Sequence, residues 1–308
     1  MNRCLTIAAI ATTLAACPAQ ADDIVVRGQA LSKEEAAAQA KAYVQTIGIV
    51  TTVKPAARWL DPICPKVSGL GDPTVAARVE ARFRAIASAV GARLAKPGCK
   101  TNLLVGFTDD ADALARQINA NDPRQMIELS NAWRGRLVNG RTPVRWWYST
   151  EVRSADGQPP INAPLPWMSF TAEGGAEGGG GSSTNTDVGG DSGGGYTNSR
   201  RSSLVSNNAK RAIRTATVLV DVALAQGKDL DGVIDYAALV GLAEIRFSGE
   251  PPANSVLALF APDNPVYGLT TQDEALLKAL YRLPLDRQGR YHRGWLVNGV
   301  TKALSGQE

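Results

Sequence analysis

Apolar positions along the chain change period several times, and each change predicts an element. An apolar run over 5–16 follows Arg3 and leads into small residues. Ser32 and Glu35 then have the spacing of a capping box, which predicts an alanine-rich helix to about Thr46. Val75, Val79, Phe83, Ile86, Val90 and Leu94 recur at helical spacing, so a second amphipathic helix is expected over 74–95. The continuous apolar run 102–108 reads as a buried strand. Asp109, Asp110 and Asp112 follow it, and acids there suit the positive end of a helix dipole better than a metal. Asp122-Pro123 marks a further helix start, expected to run to Arg136. The stretch 144–152 is rich in aromatic and β-branched residues and predicts a strand. Its adjacent Trp146 and Trp147 must point to opposite faces, as in a strand packed on both sides.

From 174 to 203 composition collapses into glycine, serine, asparagine and threonine, which cannot bury enough apolar surface to order itself. Pattern returns with a strand over 212–224, a helix over 229–242 and a helix opened by Thr271-Gln272-Asp273-Glu274, read as a capping box. A last helix is expected over 294–304. The near-repeats Arg134-Gly135-Arg136-Leu137-Val138-Asn139-Gly140 and Arg293-Gly294-Trp295-Leu296-Val297-Asn298-Gly299 both read as helix ends closed by Asn-Gly. Strands and helices interleave without a regular βαβ cadence. The expected fold is α+β, a mixed sheet with packed helices.

The start of the chain has the charged, apolar and small-residue order of a secretory signal peptide, and its apolar run is too short to span a membrane. Two processing readings stand side by side. Ala19-Gln20-Ala21 fits an A-x-A cleavage site that releases a soluble protein, and Leu14-Ala15-Ala16-Cys17 fits a lipobox that would acylate Cys17 and tether it to the envelope. Either way Cys64 and Cys99 remain in the mature chain, in an oxidising periplasmic or secreted setting, where a disulfide between them is expected. The organisation is then a signal peptide over 1–21, the N-terminal part of the domain over 22–173, a disordered glycine- and serine-rich insertion over 174–203, and the C-terminal part over 204–308. The run Asp22-Asp23-Ile24-Val25-Val26-Arg27-Gly28 resembles a segment that outer-membrane receptors offer for strand addition, but it reads first as an edge strand or a frayed terminus.

A formal net charge of +4 is too weak to argue for nucleic acid. The basic cluster Arg200, Arg201, Lys210, Arg211 and Arg214 reads as a solvated face. Gly190-Asp191-Ser192-Gly193-Gly194 spells the word around a chymotrypsin-type nucleophile, but it lies in low-complexity glycine. The chain's single histidine, His292, follows it, reversing the order that such proteases use. One histidine also leaves little for zinc or general-base chemistry, so neither a cofactor nor a metal is expected, and His292 reads as exposed or capping.

Val240-Gly241-Leu242, Ser255-Val256-Leu257 and Leu269-Thr270-Thr271-Gln272-Asp273 with Ala279-Leu280-Tyr281 match, in order and spacing, the end of a metzincin zinc-protease domain: metal-binding helix, turn, final helix. The chain resembles that family over about a sixth of its length, and the resemblance implies a zincin-like scaffold. Anchored on Gly241, it places Ile234, Ala238 and Glu244 at the three histidine positions and Asp235 at the general base. Isoleucine and alanine cannot ligate zinc, so the implied scaffold is metal-free. The whole chain also resembles uncharacterised secreted bacterial proteins that share Arg58-Trp59, Pro62, Cys64-Pro65 and Arg145-Trp146-Trp147-Tyr148. The expected function is a non-catalytic envelope protein that binds a partner protein or peptide through a groove beside its sheet. It would meet the membrane only if lipidated at Cys17. The alternatives are a metal-independent hydrolase using the carboxylates of Asp235 and Glu244, and a structural lipoprotein.

Overall fold

A computed structural model describes residues 31–51, 54–154, 209–247, 249–262 and 264–307, which belong to one compact unit. The expected signal peptide with Cys17, the 22–28 run and the 174–203 insertion lie outside these residues.

The sheet is organised on β5, Ala209–Asp221, the longest strand. Ala212, Ile213 and Ala216 are buried beside the exposed Arg214 and Thr215, and Val218, Leu219 and Val220 are buried in succession, because both faces of the strand are covered there. β4, Val144–Ser154, pairs antiparallel with one edge, its register slipping between Ser149 and Thr150. The other edge takes two parallel strands in succession. β1, Arg58–Trp59, pairs at Ala212 and Ile213, and β3, Leu103–Thr108, pairs from Ala216 to Asp221. β2, Pro65–Ser68, lies parallel outside β3. Ser154 faces Ala209 in the ladder, so the chain over 155–208 leaves and re-enters the sheet at one level of a hairpin.

The main core sets α1 (Lys33–Thr46), α2 (Pro73–Ala89), α5 (Leu230–Leu242), α6 (Thr271–Tyr281) and α7 (Gly289–Leu304) against the sheet. A second cluster, from α3 (Ala111–Asn121), α4 (Asn131–Asn139) and the turn between them, packs on Trp147 and Leu219. Trp146 belongs to the main core and Trp147 to the second cluster, and both are buried. The strand is therefore packed on both sides. The fold is mixed α+β with a mostly parallel sheet.

Four helix boundaries differ from the periodicity. α2 stops at Ala89 because Gly91 turns left-handed at φ 84°, which frees Leu94 to bridge Ile63. The helix expected from Asp122 to Arg136 breaks into a 3-10 turn, Pro123–Met126, and α4, because Ser130 caps a fresh start through the Trp133 amide. The capping box of α6 sits one residue earlier, between Thr270 and Asp273. α7 begins at Gly289 and runs through Asn298-Gly299, where a side chain on Gly299 would collide with the Ala279 Cβ at 2.6 Å. The glycine there permits close helix packing and does not end the helix.

Cys64 and Cys99 form a disulfide with Cα atoms 5.9 Å apart. Closing a separation of 35 residues stabilises the fold by about 3–4 kcal/mol, chiefly through the unfolded chain. Among the described residues no helix is long and apolar enough to cross a membrane.

Candidate functional site

Of the positions that the zincin resemblance picks out, Ile234, Asp235 and Ala238 lie on α5, whose residues are buried all round from 232 to 242, and Glu244 lies just past its end. Ile234 and Ala238 are 1% and 0% exposed and belong to the main core, so they face packed side chains and no cleft. Among the described residues no three His, Cys, Asp or Glu side chains are placed to hold a metal ion.

The two carboxylates of that segment are not brought together. Asp235 accepts a two-pronged hydrogen bond from Arg82, Nε to Oδ1 at 2.7 Å and Nη2 to Oδ2 at 2.8 Å, and a third from the Leu269 amide at 2.9 Å. It ties α2 to the entrance of α6. Glu244 is 2% exposed and sits among three cations. Arg211 donates to both oxygens at 2.7 and 3.2 Å, Lys54 Nζ donates at 3.1 Å and Arg246 Nε at 3.1 Å. Burial alone would raise the Glu244 pKa. Arg211, Lys54 and Arg246 together outweigh it and hold the group at about 2. A general acid or base exchanges a proton near the working pH, and the three cations favour the ionised form of Glu244 well below it.

Among the described residues no strand pairs with the outer edge of β4, where a groove beside the sheet would lie, and the Glu128 side chain reaches this strand. The Glu128 carboxylate accepts from the Thr150 amide at 2.6 Å and from its hydroxyl at 2.7 Å. Asp273 is fully buried and collects donors from Tyr43, Ser255, Val256 and Thr270, pinning the turn before α6 to α1. His292, expected exposed or capping, is fully buried. The Ala56 amide donates to its Nδ1 at 3.1 Å, and Nε2 lies 3.2 Å from the Pro284 carbonyl, so the neutral ring carries its proton on Nε2. Burial pushes its pKa down, against the Pro284 carbonyl and Asp286. The reason for the misreading is register: with α7 starting at Gly289, His292 joins Leu296 and Val300 on the inward stripe.

The same register turns Tyr291, Trp295 and Asn298 outward, and there the protein has an open cavity of about 620 Å³. Leu283 and Pro284 form one wall, and Arg287 and Arg290 lie at its rim. None of the described lining residues is acidic. Tyr291 and Trp295 are 45% and 46% exposed and stand one helical turn apart on one face. The Trp295 indole donates to the Ala279 carbonyl at 3.2 Å, and the Arg290 guanidinium lies 5.3 Å from the Tyr291 ring centre. Both rings are therefore held in place while keeping about half their surface in water.

The start of α7 is also poorly made as a helix start. Gln288 gives no side-chain cap, the first turn holds no acid, and Arg290 stands where the dipole disfavours a cation. The sequence reading missed this groove because it began the last helix at Gly294, which left Tyr291 outside it. The available signal was aromatic residues at 291 and 295 opposite the Leu296 and Val300 stripe.

What the arrangement can do is recognise. Trp, Tyr and Arg are the residues that carry most binding energy at protein interfaces, and pre-positioned rings lose little entropy on contact. Comparison with protein-family models, curated proteins and solved structures finds no match to this chain.

Proposed function

We propose that this is a non-catalytic binding protein of the cell envelope that takes a partner protein through the Tyr291–Trp295 face of α7. The observation that carries the reading is the start of α7, where anchored, half-exposed aromatic rings and arginines stand at a cost to helix stability. A helix under selection for stability alone would carry a cap and acids there. The Cys64–Cys99 disulfide fits an oxidising compartment. On this reading the scaffold is zincin-like and metal-free. In support, α5, the turn at Val256–Ala258 and α6 follow in the order the resemblance requires, and the ligand positions hold core side chains.

The test is site-specific photo-cross-linking in living cells with a benzophenone amino acid in place of Tyr291. A discrete adduct that disappears in Trp295→Ala is expected, with circular dichroism showing that the variant still folds. Stoichiometric zinc in the purified protein would overturn the proposal. So would absence of an adduct together with a hydrolytic activity that Asp235→Asn abolishes.

A further inference from the structure

We infer that the occupant of the α7 groove is a second copy of this chain, docked head to tail through the crevice at the opposite end of β5. The inference rests on the binding role proposed for the groove and names its partner.

The groove asks for carboxylates beside an exposed apolar side chain, because it offers aromatic rings beside the Arg290 guanidinium and none of its described lining residues is acidic. Such a face exists on the chain itself. Beyond the C-terminal ends of β3 and β5, Asp109, Asp110, Asp112 and Asp221 line a crevice of about 400 Å³ with Arg141, Ala223 and Leu224. Asp110 caps α3 through the Ala113 amide, Asp221 accepts from the Ala111 and Leu224 amides, and Asp112 pairs with the buried Arg145. With those carboxylates fixed by the fold and Asp109 exposed, the mouth keeps a negative excess. Val222, next to the crevice, is 42% exposed. Acid and apolar surface thus stand together at one end of the sheet, and cation and aromatic surface at the other.

Their placement sets the geometry of association. The groove adjoins the N-terminal side of β1, since His292 accepts from Ala56 and Arg58 donates to the Tyr281 carbonyl at 2.7 Å, while Arg58 pairs with Ala212 at the beginning of β5. The crevice lies past Asp221. Nine residues of extended strand separate the two levels by about 30 Å. Patches at opposite ends of the strand direction suit a head-to-tail arrangement, in which each copy uses its groove on one neighbour and its crevice on the next. Joining them gives a heterologous contact that propagates along the strand direction into chains.

Sedimentation of the full mature protein tests this with two charge reversals on exposed residues, Arg290→Glu and Asp109→Arg. The wild type is expected to show a weight-average mass that grows past a dimer from micromolar to millimolar concentration and falls with added salt. Each reversal should weaken association at least about tenfold. Mixing the two variants should restore it, because each junction in an alternating chain again joins opposite charges. Val222→Asp provides an independent crevice variant should Asp109→Arg fail to fold. A protein monomeric at every concentration, a mass that stops at a dimer, or variants that mix without recovery would overturn the inference. If the chain is monomeric yet the Tyr291 cross-link to another protein survives and needs Trp295, self-association fails and the binding role stands.

Discussion

Around Glu244 the fold turns charge inward and satisfies it; along the start of α7 it turns aromatic surface outward and leaves it uncovered. Both regions gather residues that could mark a site. In the first, the carboxylate is met on both oxygens, and Arg211 also donates to the Pro55 carbonyl and the Thr150 hydroxyl while it holds Glu244. In the second, Trp295 and Tyr291 are fixed by one hydrogen bond and one cation–π contact but keep half their area in water. The difference teaches where recognition and stability reside. A buried, closely paired charge cluster is a clamp, and an anchored, exposed aromatic pair is a contact surface.

The largest expected effect breaks the clamp. Glu244→Ala would leave Lys54, Arg211 and Arg246 facing one another around a low-dielectric hole, and removing one side of a buried ion pair costs about 3–5 kcal/mol. Urea unfolding should show that loss with the slope unchanged. A loss below about 1 kcal/mol would mean that water reaches the cluster and that the two regions are less different than their burial indicates.

Acid should unfold the clamp in the same sense. Glu244 has its pKa lowered from 4.5 to about 2 by its cations, so its contribution is fully present above pH 4.5 and is lost as pH falls towards 2. A gap of that size is worth about 3 kcal/mol. Glu244→Gln should flatten that part of the pH–stability curve. His292 adds a smaller loss of the same sign at higher pH. Its lowered pKa means that the unfolded chain takes up the proton first, so stability begins to fall below pH 6.5.

At the groove the expected effects shrink. Trp295→Ala removes the buried half of an indole and its bond to Ala279, about 1–2 kcal/mol by area. Partner binding should nonetheless be abolished. Thermal unfolding and the Tyr291 cross-link, measured on one preparation, separate the two. A destabilisation as large as that of Glu244→Ala would place Trp295 in the core and remove the contrast.

Much of the fold was legible because its signals are local. The capping box at Ser32, the buried run of β3 and the opposed pair Trp146 and Trp147 each follow from a few neighbouring residues. The clamp was not legible in that way, because Lys54 and Arg211 are brought to Glu244 and Arg246 only by the tertiary fold. Glu244 entered the reading as a failed zinc ligand, and near it in the chain only Arg246 announces a cation. The groove was within reach but hidden by a boundary: five residues added to the front of α7 change which side chains face out.

The smallest stability effect is expected for Arg290→Glu, and its smallness is the point. Arg290 lies in the first turn of a helix with no side-chain cap and no acid in that turn. Exchanging cation for carboxylate there gains about 0.3–1 kcal/mol from the helix dipole. The substitution also removes the guanidinium from the Tyr291 ring, a loss of about 0.5–1 kcal/mol at an exposed site. The two nearly cancel, so the thermal midpoint should stay within the shift that about 0.5 kcal/mol produces. Self-association and the Tyr291 cross-link should both fall. A residue whose reversal leaves stability untouched but removes contact is retained for the contact. If the midpoint drops sharply instead, Arg290 serves the helix, and the outward-facing region loses its strongest claim to be a binding surface.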